Sequence, residues 1–287
     1  MRITDEVRAH CAQVAGSARS VAIDLAALER LHGAPQASAP AAIDGEQEDV
    51  ARHLLTLDTI NFGSGWFPTL RKRPATSGYN SLAASLREHF AANGPWSNAQ
   101  LRSLDARTVA AALGQDADHE LMALYAQALR SLGRWLGERG VLAAIASACG
   151  SAERFAAALA EGMALYADRG FYKRAQIAPA NLALAGVAEW GDLDRLTIFA
   201  DNLVPHVLRC EGVLIYDPRL AAHIDSGGLL RSGPQEQEIR ACAVHACELL
   251  SERLSVAPRV LDNWLWNRGQ EPEYKARPRH RCRCVYY

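Results

Sequence analysis

GFYKRAQIAPANLALAGVAEWGDLDRLTIFADNLVPHVL, residues 170–208, consists of two apolar runs at helical spacing on either side of a Gly-containing turn. The spacing predicts helices over Ala175–Ala188 and Asp194–Leu208. On the second helix Asp201 would share a face with Ile198, Val204, Pro205 and Leu208. Leu196, Phe199, Leu203 and Val207 would line the neighbouring face, so both sides look buried. A buried carboxylate costs several kcal/mol without a partner. As a structural acid Asp201 would pair with Arg195 or Lys173; as a functional one it would face a ligand. Both readings stand at this point. Pro205 cannot donate to the carbonyl of Asp201, so a helix running through both residues should kink at the acid.

Outward from this stretch, the pattern stays helical. Residues 1–33 read as helix, with Val7, Cys11, Val14, Val21, Leu25 and Leu28 recurring until Gly33. Residues 34–49 read as a polar, Pro-containing loop, and Asp49–Thr59 as a short helix stopped by Gly63-Ser64-Gly65. Asp58, Asn61, Phe62 and Trp66 then lie at or just past a helix end, a place for a pocket wall or for a turn that fills the core. Arg71-Lys72-Arg73 reads as solvated surface. Further helices are predicted over Leu82–Phe90, Asp118–Leu136, Ser151–Tyr166, Glu236–Leu254 and Val260–Asn267, the last placing Asp262 and Trp266 on one face. Ser97-Asn98-Ala99-Gln100 and Ser232-Gly233-Pro234-Gln235 both have capping-box spacing. Val213–Tyr216 and the tail 281–287 are the extended candidates, neither with an evident partner. No fixed-period repeat is present, which disfavours a solenoid. The expectation is an all-α fold, one compact domain over residues 1–287 with about ten or more helices.

The composition, 49% hydrophobic and 22% charged, is that of an ordinary soluble globular chain. A formal charge of −1 argues against a binder that depends on a general basic field, hence no stable nucleic-acid partner. The first residues have neither signal-peptide nor transit character and no run approaches a membrane span, so no membrane partner is expected. Seven scattered cysteines do not make a disulfide framework and point to a cytoplasmic setting. Cys282 and Cys284 beside His280 lack the second ligand pair of a structural zinc site, so no metal is expected. Alternation through residues 281–285 suits an extended tail instead.

Several motifs in one order carry a resemblance: LDTINFGSGWFP (57–68), SGYNSL (77–82), FYKRAQI (171–177), LTIFADNLVPHVL (196–208), EIRACAVHA (238–246), LDNWLW (261–266) and HRCRCVYY (280–287). From about residue 58 to 287 the chain resembles the queuosine salvage protein family, the queuosine 5'-phosphate N-glycosylases. The resemblance implies a helical fold related to helix-hairpin-helix DNA glycosylases, with an acid falling on Asp201 at the active site. It also implies cleavage of queuosine 5'-phosphate, a small-molecule nucleotide, to queuine and ribose 5-phosphate without a cofactor. A fixed carboxylate suits that chemistry, because the anomeric carbon becomes cationic as the glycosidic bond parts. Lys173 is the next catalytic candidate, set to pair with Asp201 or to hold phosphate or sugar hydroxyls. A flat 7-deazaguanine calls for aromatic faces, offered by Phe62, Trp66, Phe199 and Trp266. Its polar edges call for amides and acids, offered by Asp58, Asn61 and Asp262, with Asp262 suited to the queuine side chain. Arg174, Arg279, His280, Tyr286 and Tyr287 are the candidates for the phosphate.

Animal members follow the Asn-Phe pair closely with an aromatic pair, whereas here Gly63-Ser64-Gly65 intervenes before Trp66-Phe67. Two other classes remain at this point: a helix-hairpin-helix module that binds nucleic acid or a nucleotide without catalysis, and a helical scaffold.

Overall fold

Apolar residues at helical spacing dominate the chain. In the computed structural model, which describes residues 2–33, 35–36 and 43–287, they form fifteen α-helices and one two-stranded sheet among the described residues. The N-terminal segment departs from the expected single helix. It runs as α1 (Ile3–Ser17), β1 (Val21–Ile23) and α2 (Leu25–Arg30). Val21 and Ile23 are β-branched and find a strand partner in β2 (Leu214–Tyr216), antiparallel with Ala22 opposite Ile215. Asp24 then starts α2 afresh, accepting the Ala27 N–H at 2.9 Å. The partner that residues 213–216 lacked in sequence was therefore hidden inside a predicted helix.

The loop expected over 34–49 lies partly outside the described residues, at 34 and 37–42, and α3 (Gln47–Thr59) already begins within it. There follow α4 (Gly78–Asn93), α5 (Asn98–Ser103), α6 (Ala106–Leu113), α7 (Glu120–Leu136), α8 (Val141–Ala146), α9 (Ala152–Gly162) and α10 (Lys173–Leu184). The Ser97–Gln100 capping box forms as predicted. Helix α9 stops short of Tyr166, the last turn being a separate 3-10 segment over Ala164–Tyr166.

Helix α11 (Val204–Cys210) is half the length expected for residues 194–208. Residues 196–203 are irregular, and their side chains alternate between two apolar clusters: Phe199 packs into one, Ile198 and Ala200 into the other. Burial on both sides, read in sequence as an all-round apolar helix, comes instead from a non-helical strap threaded between two cores. The remaining helices are α12 (Pro218–Asp225), α13 (Pro234–Leu254), α14 (Pro258–Arg268) and α15 (Pro272–Lys275). The second predicted capping box does not form. Gly233 occupies the cap position of α13 without a side-chain bond, and Pro234 at the first position supplies the preset φ.

The first cluster joins helices α3 to α10 through residues such as Leu55, Leu86, Leu121, Phe155 and Leu182. The second joins α1, α2 and α11 to α15 through Val7, Val207, Ile239, Val244 and Leu261. Tyr172 packs against both. Among the described residues no helix is long and apolar enough to cross a membrane.

Candidate active site

A cavity of about 1060 Å³ opens along the seam between the two clusters. One wall is a face of α10, where Lys173, Ile177, Ala180, Asn181 and Leu184 recur at positions one, five, eight, nine and twelve. The strap contributes Phe199 and Asp201, α14 contributes Asp262 and Trp266, and the C-terminal tail closes the remaining side.

Helix α10 starts from a strained turn. Tyr172 sits at φ 51°, ψ 40°, a left-handed conformation that costs a non-glycine residue about 1 kcal/mol or more. Its N–H bonds the Asp168 carbonyl at 2.6 Å, which fixes the turn and places Lys173 first in the helix. Only 3% of Lys173 is exposed, and its Nζ donates to the Asn61 carbonyl at 3.2 Å and to Asn61 Oδ1 at 3.0 Å. Burial lowers its pKa from the usual lysine range, while the nearby Asp201 opposes that shift.

Asp201 is not in mid-helix. Its Oδ1 accepts the Leu203 N–H at 2.7 Å and the Val204 N–H at 3.4 Å, fixing the turn that leads into α11. Pro205 falls in the first turn of α11, where no N–H is needed, so the kink expected at the acid does not arise. Oδ2 accepts no hydrogen bond from any described residue, and the side chain lines the cavity. Arg195 is not its partner, being engaged with Asp5 at 2.9 Å and Glu153 at 3.1 Å. Lys173 lies within electrostatic influence of Asp201 without forming an ion pair with it.

Asp262 Oδ1 accepts the Phe199 N–H at 2.8 Å, tying α14 to the strap. Burial pushes its pKa up to about 7; the Phe199 N–H works against the shift and the neighbouring Asp201 charge adds to it. Trp266, four residues on, stands edge-on to Tyr79 with ring centroids 6.5 Å apart, and both line the cavity. Phe62 also lines it, though 99% covered, braced by Tyr125 at 4.9 Å and by the Arg174 guanidinium at 4.5 Å.

Five sequence candidates lie elsewhere: Asp58, Trp66, Arg174, His280 and Tyr286. Asp58 is buried behind the wall, its Oδ1 accepting from Asn181 Nδ2 at 2.7 Å. Trp66 turns away from the cavity into the core, donating from Nε1 to Glu120 at 2.7 Å, and Phe67 and Pro68 reach the cavity instead. The intervening glycines explain the turn. A Cβ on Gly65 would lie 2.5 Å from the Cys282 carbonyl, so the tail backbone passes where a side chain would be. Arg174 does not face the cavity; its guanidinium binds the carbonyls of Thr59, Leu165 and Val285, the last at 2.7 Å. His280 is buried outside it, and burial lowers its pKa to about 3.

Tyr286 does not line the cavity, whereas Arg279 and Tyr287 do, joined by Lys275, Arg277 and Arg281, which sequence reasoning had passed over. Their clustering as four basic residues within 275–281, from the end of α15 into the tail, was the available signal. Asn181 and Tyr79 were missed too. Asn181 falls on the Lys173 face of α10, and Tyr79 stands in the SGYNSL motif. Among the described residues no group of three His, Cys, Asp or Glu side chains is placed to hold a metal ion.

The family model described as queuosine salvage protein matches residues 41–287. A Sphaerobacter thermophilus protein named queuosine 5'-phosphate N-glycosylase/hydrolase is 32% identical over 267 residues, covering 84% of this chain and 82% of its own. Proteins of the same name from Mus musculus and Dictyostelium discoideum are 35% and 34% identical, each alignment covering 41% of this chain and 40% of theirs.

Proposed function

This chain belongs to the queuosine salvage protein family, and from that premise we propose that it hydrolyses the N-glycosidic bond of queuosine 5'-phosphate, releasing queuine and ribose 5-phosphate. The observation that carries the reading is Asp201: one carboxylate oxygen is pinned by backbone N–H groups, and the other is left to a partly apolar cavity beside a buried lysine.

In the reaction the bond between the anomeric carbon and the base nitrogen breaks, and its electron pair leaves with the base. Positive charge grows on the anomeric carbon and the ring oxygen. Asp201 Oδ2 stabilises that charge more strongly in the transition state than in the bound substrate, which is the condition for raising the chemical rate. Water then supplies hydroxide to the anomeric carbon and a proton to the base. Lys173 serves a different end. Anchored on Asn61, its ammonium offers a remaining donor to a sugar hydroxyl and holds the local field in which Asp201 sits.

Phe199, Trp266 and Tyr79 supply flat faces for the base. Asp262 takes the ammonium of the queuine side chain. Arg279, half-buried and facing the Asp201 charge, takes the phosphate together with Arg277 and Arg281. Incubating the purified protein with queuosine 5'-phosphate should release free base, and Asp201→Asn should abolish most of that release while still binding the nucleotide. Cleavage by Asp201→Asn at the wild-type rate would overturn the assignment of the acid. No release by the wild-type protein would overturn the reaction.

A further inference from the structure

We propose that Asn181 reads the hydrogen-bonding edge of the base, and that buried Asp58 is the positioning residue that decides which end of the Asn181 amide it presents. The proposal rests on the nucleotide reading above and adds to it a source of base specificity.

An asparagine amide offers two donors on nitrogen and an acceptor on oxygen, and its neighbours determine which faces a ligand. Asp58, 1% exposed, accepts the Asn181 Nδ2 proton through Oδ1 at 2.7 Å. An ionised carboxylate only accepts, so it holds the amide nitrogen on the inner side. A neutral Asp58 carrying its proton on Oδ2, the oxygen without a partner, would still accept through Oδ1. The Asn181 carbonyl oxygen is thereby left for the cavity, which the residue lines, and it accepts no hydrogen bond from any described residue. A burial cost is met here for one purpose, fixing the polarity of an amide at the cavity wall.

The placement matches a nucleotide. Lys173 and Asn181 share one face of α10 and stand eight residues apart, about 12 Å along the helix axis. With the sugar beside Asp201 and Lys173, that span corresponds to a contact at the anomeric carbon, the width of a purine-like base, and one hydrogen bond of about 3 Å at its far edge. A lone acceptor there suits the adjacent ring N–H and exocyclic amino group of a guanine-type base. It opposes an adenine-type base, whose ring nitrogen is itself an acceptor. Two acceptors facing each other leave both unsatisfied, which is how polar sites reject close analogues.

The test is calorimetric titration with 7-deazaguanosine 5'-phosphate and 7-deazaadenosine 5'-phosphate, which needs no turnover and so stands apart from the cleavage assay. Wild type should bind the guanine-type nucleotide at least about tenfold more tightly. Asn181→Leu should bring the affinity ratio close to one by weakening the guanine-type ligand alone. Asp58→Asn should also collapse the ratio, because residue 58 then offers donor and acceptor alike and the Asn181 amide is free to turn. Thermal melts check that both variants fold, and the ratio is a readout that a purely structural role would not move. Equal affinities in the wild type, binding of neither nucleotide, or an unchanged ratio in either variant that folds would overturn the proposal.

Discussion

Two cation–acid sites, one buried and one opening on the cavity, lie side by side in this molecule and are built in opposite ways. At Arg240 all three nitrogens donate: Nη1 and Nη2 bind the two Asp168 oxygens at 3.1 and 2.5 Å, Nε binds the Ala200 carbonyl at 2.9 Å, and Nη1 also reaches Glu236 at 3.5 Å. The guanidinium is also stacked between Phe171 at 3.9 Å and Tyr287 at 4.6 Å. At Lys173 and Asp201 the partners stay apart, each held by a neutral group, and the second oxygen of the acid faces the cavity. The closed site keeps its charges for the fold, while the open one keeps them for a ligand. They are also joined, because Ala200 precedes Asp201 and Asp168 accepts the Lys173 backbone N–H at 3.4 Å. The closed site positions the open one.

The largest expected effect tests the open site. Asp201→Asn keeps an acceptor for the turn before α11 but loses the charge, so kcat/KM for base release should fall on the order of 10³-fold, about 4 kcal/mol of barrier, with little change in melting temperature. Next comes the closed site. Arg240→Met strands Asp168 and Glu236 in the interior and should cost about 3 kcal/mol of stability in urea unfolding. A variant as stable as wild type would break the comparison.

Lys173→Ala should lower kcat/KM by about 10-fold or somewhat more through lost binding and charge, yet leave stability unchanged or improved, because it removes a buried amine without breaking an ion pair. Destabilisation as large as that of Arg240→Met would show the two sites to be alike.

The smallest effect is in pH. Asp262 is neutral below about 7 and ionised above it, so kcat/KM for a substrate carrying an ammonium should rise several-fold as pH increases through that value. Asp262→Asn should lose this limb. The raised carboxyl also binds its proton more tightly in the folded state than in the unfolded one. Its contribution to stability is therefore present at low pH and lost as pH rises from the ordinary value of 3.8 towards 7, a slope that the same variant should flatten in urea unfolding.

How much of this was legible beforehand varies with the range of the interaction. The helices α3, α4, α7, α10, α13 and α14 stand within a few residues of where periodicity places them, because their apolar faces and caps are local properties. Asp201, Lys173, Asn61, Phe62, Phe199, Asp262 and Trp266 do meet at one cavity. Asp58 and Trp66 share a motif with Asn61 and Phe62, yet point away from it. Which side of a turn faces a ligand depended on Asn181 drawing Asp58 inward and on the tail crossing Gly65. The strap 196–203 misled for a similar reason: burial on both sides is the same signal whether the surroundings are one helix bundle or two clusters.

The sequence by itself determined a predominantly helical chain and the family to which its motifs belong. It also picked out the acid and the lysine on which the proposed chemistry turns, since residue type and local spacing carry those properties. Tertiary structure decided that Asp201 holds the turn before a helix instead of riding inside one, that Arg174 serves three carbonyls and not a ligand, and that a basic tail walls the cavity. The first is a local bond that forms because residues 196–203 thread between two clusters and leave the helix unformed until Val204; the others bring together segments far apart in the chain, Arg174 with Thr59 and Val285 for example, and such hydrogen bonds leave no periodic trace in the sequence.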